Sequence, residues 1–147
     1  MEKNFIRVRS SKDIIISCGL AVAGCVLVAL PTATSINILG FFMAFAGIIL
    51  FLMLKSGYKE TQSGVKYCKT ERFFAQNMRV ELTEKIASKP ESINLQEEDK
   101  GNAVRLDIYY SKESGKAYLQ VFEYIPYKYE PCSRQVECNL TEIGKLI

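Results

Sequence analysis

The chain has 147 residues, of which 48% are apolar, with 19 Lys and Arg against 16 Asp and Glu, five Cys and no His. This length admits one ordinary domain, or a small domain joined to a membrane anchor. Without His there is no neutral-pH imidazole shuttle, which excludes His-dependent triads and His-containing zinc sites.

Residues 1–13 form a basic segment carrying Lys3, Arg7, Arg9 and Lys12. From Ile14 to Leu54 there is no Asp, Glu, Lys or Arg. Two apolar runs, 14–30 and 36–54, make helices roughly 25 and 28 Å long, and each suffices for a bilayer core of about 30 Å. A soluble chain this small has too little mass to cover two helices that are apolar on every side. Pro31 ends the first run, and the short link to Ser35 forces the helices into an antiparallel hairpin. Gly19 with Ala23, and Gly40 with Ala44 and Gly47, are spaced as strips along which helix backbones approach closely.

Cations flank the hairpin on both sides, with Lys55, Lys59, Lys66 and Lys69 following it, and the link is uncharged. The positive-inside rule then places both termini in the cytoplasm of a multi-pass inner (plasma) membrane protein. Arg7, Arg9, Lys12, Lys55 and Lys59 are the expected contacts to lipid headgroups.

Val22-Ala23-Gly24-Cys25 resembles the lipobox of bacterial lipoprotein signal peptides, which implies lipidation at Cys25. The chain departs from that pattern after the cysteine: Val26 to Leu30 stay apolar where lipoproteins turn polar, and a second span follows at once. The hairpin is therefore the preferred reading.

Residues 55–69 read as a basic juxtamembrane connector, broken by Gly57, Ser63 and Gly64. Residues 70–147 read as a cytoplasmic α+β domain, a helix packed on an antiparallel sheet of two to four strands. Thr70 is placed to cap a helix whose stripe is Phe74, Met78, Leu82 and Ile86, ended by Lys89-Pro90. The acidic stretch Glu97 to Asn102 lacks the ligand alternation of a calcium loop and reads as solvated. Val104 to Tyr110 alternates as a strand with Val104, Leu106, Ile108 and Tyr110 on one face and Arg105, Asp107 and Tyr109 on the other. Ser114-Gly115 turns the chain into a second strand, Ala117 to Ile125, apolar on both faces and so central or covered. Gln135 to Cys138 offers a third strand, and Leu140 to Ile147 a short terminal helix.

From Lys55 onward, 15 Lys and Arg meet 14 Asp and Glu, leaving +1, which argues against a nucleic-acid surface. No phosphate loop, dinucleotide fingerprint or nucleophile elbow occurs, and no cofactor or metal site is expected. Cys18 and Cys25 read as small apolar groups, while Cys132 and Cys138 lack the spacing of a zinc or dithiol motif. Six of the eight Tyr lie between Tyr109 and Tyr129. Tyr combines a large ring with a polar tip and is enriched at interfaces, so Tyr109, Tyr124, Tyr127 and Tyr129 are the candidate partner-binding residues.

These features predict a membrane-anchored, non-enzymatic interaction module, an accessory or scaffolding subunit of an inner-membrane complex. Its expected partners are the lipid bilayer and another membrane or cytoplasmic protein, a second copy of the chain included. The alternatives are a tethered enzyme working through Cys68, Cys132 or a carboxylate such as Glu123 or Glu130, and a holin-like membrane-active hairpin.

Overall fold

The computed structural model of the protein describes residues 2–147. They divide into two compact units, a helical one of residues 7–57 and a sheet unit of residues 2–6 with 58–147.

In the helical unit, α1 (Ser11–Ala29) and α2 (Thr34–Met53) are antiparallel partners. The Ser10 hydroxyl accepts from the Asp13 N–H while the Asp13 carboxylate accepts from the Ser10 N–H, a reciprocal cap that opens α1. The same carboxylate accepts from the Ser56 N–H at 2.8 Å and the Ser56 hydroxyl at 2.6 Å, joining the entry of α1 to the exit of α2. At the other end Leu30 leaves helical geometry before Pro31, as the proline ring requires. There the Thr32 hydroxyl donates to the Asn37 side-chain oxygen at 2.8 Å.

Glycine sets how closely the helices approach. A Cβ on Gly24 would sit 2.2 Å from the Ala44 nitrogen, and one on Gly47 would sit 2.5 Å from the Ala21 nitrogen. Gly40 would meet Leu27 Cβ at 2.7 Å and Gly24 O at 2.8 Å. Gly40, Ala44 and Gly47 thus occupy the expected contact, but Gly19 and Ala23 do not. Gly19 has nothing within 4 Å and Ala23 is exposed, and their place is taken by Ala21 and Gly24. The reason is phase: Gly24 and Ala21 lie on the α1 face that meets α2, and Gly19 and Ala23 lie off it. Outward stand large apolar groups, among them Ile15, Val22, Phe41, Phe42 and Leu52. Both helices are long and apolar enough to cross a membrane by length and composition.

The sheet is antiparallel and seven-stranded, where two to four strands were expected. Its strands are β1 (Phe5–Val8), β2 (Gly57–Glu60), β3 (Lys66–Phe74), β4 (Val104–Tyr110), β5 (Lys116–Ile125), β6 (Lys128–Pro131) and β7 (Val136–Asn139). They are ordered β1-β2-β3-β4-β5-β6, and β7 also pairs with β5. The extra strands come from segments with a different expected role. The basic N-terminal segment supplies β1, and the connector folds into β2 and the start of β3 around Gly64, at φ +73°. Thr70 to Phe74 belongs to β3, so Thr70 caps no helix and α3 (Arg79–Ser88) starts five residues after Phe74, the first residue of the expected stripe. Pairing decides this: Thr70 faces Ile108, Arg72 faces Leu106 and Phe74 faces Val104, and tertiary context overrides local spacing. Lys89 before Pro90 ends α3 as expected. Leu140 to Ile147 forms turns, not a helix, and seats Ile143 and Leu146 in the core.

That core lies on one face of the sheet. Phe74, Val104, Leu106, Ile108, Leu119 and Val121 pack against Leu82 and Ile86 of α3, each side chain contributing about 1.5–3 kcal/mol of apolar burial. β5 is central, with β4 on one edge and β6 and β7 on the other, which explains its two apolar faces.

Gly24→Val forces the helix backbones apart and costs the pair about 1–3 kcal/mol, whereas Gly19→Ala is neutral or stabilising; thermal melts of helical ellipticity in mild detergent check both. Ion pairs to Lys3, Arg79 and Lys116 hold the Glu60, Glu123 and Glu137 carboxyls below their ordinary 4.5. Their contribution is complete above that value and is lost as pH falls through the lowered ones. The thermal midpoint of the sheet unit should therefore hold between neutrality and about pH 5 and drop below pH 4.5, a loss that Lys116→Met and Arg79→Met reduce.

Candidate interaction surface

The candidate residues lie mainly on the face of the sheet opposite the core. Alternation along β4 puts Arg105, Asp107 and Tyr109 there, and along β5 Tyr118, Gln120, Phe122 and Tyr124. At one end Phe5 stacks on Tyr109, with centroids 4.2 Å apart and planes 4° from parallel, and meets the edge of Tyr67 at 5.1 Å. Lys3 closes this corner. Its N–H donates to the Gln135 side-chain oxygen at 2.7 Å, and its ammonium lies 2.6 Å from the buried Glu60 carboxylate. Burial raises the Tyr118 hydroxyl pKa, and that hydroxyl donates to Glu137 at 3.0 Å.

In the middle of the face Asp107 is 2% exposed, with Lys69 Nζ at 2.8 Å and Arg105 Nε at 2.7 Å. Burial pushes the Asp107 carboxyl up, and the two cations restrain that rise. Burial also works against the Lys69 charge, but hydrogen bonds to Asp107 and Glu71 outweigh it and raise its pKa. Such a pair adds orientation more than net stability. Here it orients Arg105, whose guanidinium lies 4.3 Å from the Tyr129 ring centroid and 4.9 Å from that of Phe122.

Arg105 thereby fixes the base of the β5–β6 hairpin. Tyr129 donates to the Asn102 carbonyl at 2.9 Å and packs on Tyr124, 5.2 Å between centroids. The tip beyond projects outward, with Tyr124 and Ile125 exposed and Tyr127 96% exposed. Pro126 fixes its own φ near −65°, and Tyr127 follows at φ +76°, the φ sequence of a type II turn. The two other tight hairpin turns place Gly64 and Gly115 at positive φ. Only this turn sets a large ring in the left-handed region, at a cost of about 1–2 kcal/mol. Tyr127 is also almost fully exposed, so packing of its ring does not offset that strain.

The structure brings Tyr124, Tyr127 and Tyr129 together and separates Tyr109 from them. Tyr109 lies half-buried under Phe5 in the corner beyond Asp107. Among the headgroup candidates Arg7, Lys12, Lys55 and Lys59 are exposed, and Arg9 is half-buried with its guanidinium 4.3 Å from the Phe51 ring centroid. Sequence reasoning missed Phe5, Arg105 and the tip residue Ile125. A signal for the tip existed: Pro126 and Tyr127 are the second and third of four turn residues, and Pro at the second suits a type II turn, whose third residue has positive φ.

All five cysteines are free. Cys18 and Cys25 are exposed on α1. Burial raises the Cys132 thiol, and it pushes Cys138 up to about 11, so both are protonated at neutral pH. Among the described residues no three His, Cys, Asp or Glu side chains cluster to hold a metal. No family model matches the chain, and no curated protein or solved structure shows significant similarity to it.

Tyr127→Gly releases the backbone strain at the tip but adds about 0.5–1 kcal/mol of unfolded-chain entropy. The variant should therefore match or exceed the wild type by up to about 1 kcal/mol in urea unfolding, whereas Gly115→Ala should lose about 1 kcal/mol.

Proposed function

We propose that the protein is a membrane-anchored interaction module of the inner membrane. The two apolar helices form its hairpin anchor, and the sheet unit presents an aromatic hairpin tip to a protein partner in the cytoplasm. The observation that carries the partner role is Tyr127, fully exposed and kept at positive φ where the sister turns use Gly. Tyr124, Ile125 and Pro126 complete a small rigid patch of the composition that interface centres favour.

Topology supports the anchor. Residues 2–6 and 58–147 fold as one unit, so the segments before and after the apolar pair share a compartment. A chain that leaves and re-enters one compartment crosses the bilayer an even number of times, as a two-helix hairpin does. The outward-facing Phe, Ile, Leu and Val of both helices find their natural surroundings in hydrocarbon, where backbone polar groups are satisfied within each helix. Tethering then concentrates the tip beside other membrane components without requiring a strong contact.

Two measurements test this reading. Impermeant biotin-maleimide applied to intact cells should label Ala33→Cys in the interhelical link, and should label Ser114→Cys only after lysis. The reverse pattern, or recovery of the full chain in detergent-free buffer, overturns the anchor. Gently solubilised wild type should migrate as a complex heavier than the monomer, and Tyr124→Ala with Tyr127→Ala should return it to monomer mass. A wild-type monomer in every mild detergent overturns the partner role.

A further inference from the structure

The strand order ends at β6, which pairs with β5 on one side and with no other strand among the described residues. Ile125 and Lys128 bracket the two-residue loop and so exchange backbone hydrogen bonds with each other. An antiparallel ladder alternates, so the backbone groups of Glu130 also point toward β5, while those of Tyr129 and Pro131 point to the free edge. The Cys132 N–H, donating to the Val121 carbonyl at 3.0 Å, keeps the same phase. Pro131 has no N–H, which leaves Tyr129 as the residue with both an open donor and an open acceptor on this edge. Unpaired backbone groups on an edge strand are a template for another strand. Lys128 and Glu130 flank Tyr129 on the opposite face from its ring, and in the single chain they pair with each other.

We infer that the partner of this hairpin is a second copy of the chain, joined by antiparallel pairing of the two β6 edges about a two-fold axis at Tyr129. Each Tyr129 N–H donates to the carbonyl of the other. The run Lys128-Tyr129-Glu130, read against itself, sets Lys128 opposite the partner's Glu130 on both sides of the axis. Charge selects this register. Edge-facing backbone groups recur at every second residue, so the pairing can shift only by two residues at a time. One such shift sets Lys128 opposite Lys128, and the other sets Glu130 opposite Glu130, both repulsive. The selected register also brings the exposed Tyr127 of each copy beside the partner's Pro131, itself exposed. The prolines at 126 and 131 keep the pairing short and bar an open-ended sheet. Confinement of both copies to one bilayer supplies the effective concentration that so short a contact needs. The inference rests on the anchored, partner-binding reading above and adds to it the partner's identity and its register.

Two differently tagged full-length copies, co-expressed and gently solubilised, test this by co-purification and native mass. Wild-type copies should recover each other at twice the monomer mass. Lys128→Glu in both copies, or Glu130→Lys in both, sets like charges across the axis and should cut recovery about tenfold. Lys128→Glu in one copy with Glu130→Lys in the other recreates two opposite-charge pairs and should restore recovery. Within each of those chains residues 128 and 130 carry the same charge, so a restored dimer cannot come from the intrachain pair. Recovery indifferent to both single changes, or not restored by the mixed pair, overturns the self-pairing. A wild-type complex of one copy with a different protein overturns it too but leaves the partner role standing, whereas a monomer in every mild detergent overturns both.

Discussion

Phe5 lies flat against Tyr109, ring to ring at 4.2 Å, and this contact ties the first residues of the chain into a sheet assembled from residues beyond position 57. Around it, Asn4 O accepts from the Thr61 N–H at 3.0 Å, and Lys3 bridges Gln135 and Glu60. The constraint is topological. About fifty residues of apolar helix pair are inserted between β1 and β2, which are neighbours in one sheet. Whatever compartment the sheet occupies, both ends of the insertion must return to it.

The two units solve their packing in opposite ways. In the sheet unit large side chains interlock on one face, and their removal from water drives association. In the helical unit the large side chains point outward, and contact is made by Gly24, Gly40 and Gly47, where backbone meets backbone. Small-residue packing of that kind gives close van der Waals contact without any need for water to be expelled, the condition that holds in lipid. The Asp13–Ser56 hydrogen bonds close the base of the pair with groups satisfied inside the unit itself.

Much of this was legible in the chain. An uncharged block of 41 residues with one proline near its middle allows little except a helix pair, and strict alternation from Val104 to Tyr110 identifies β4 and its two faces. The rest was hidden for physical reasons. Phe74 and Met78 sit four apart yet belong to a strand end and to the turn before α3, because pairing with Val104 outweighs local periodicity. β1 is four residues long and acquires its structure only from distant partners. Tyr124, Tyr127 and Tyr129 could be listed as candidates, but sequence order could not separate them from Tyr109, which Phe5 covers.

The most direct measurement is an aromatic nuclear Overhauser experiment on the full chain in lipid nanodiscs, with Phe and Tyr ring-labelled. Strong cross-peaks from the Phe5 ring to Tyr109 and Tyr67, with Phe5 protons shifted upfield by the stacked ring, are the expected result. Sharp Phe5 resonances at free-peptide shifts, with no contact to either tyrosine, would contradict the insertion of the helix pair within the sheet.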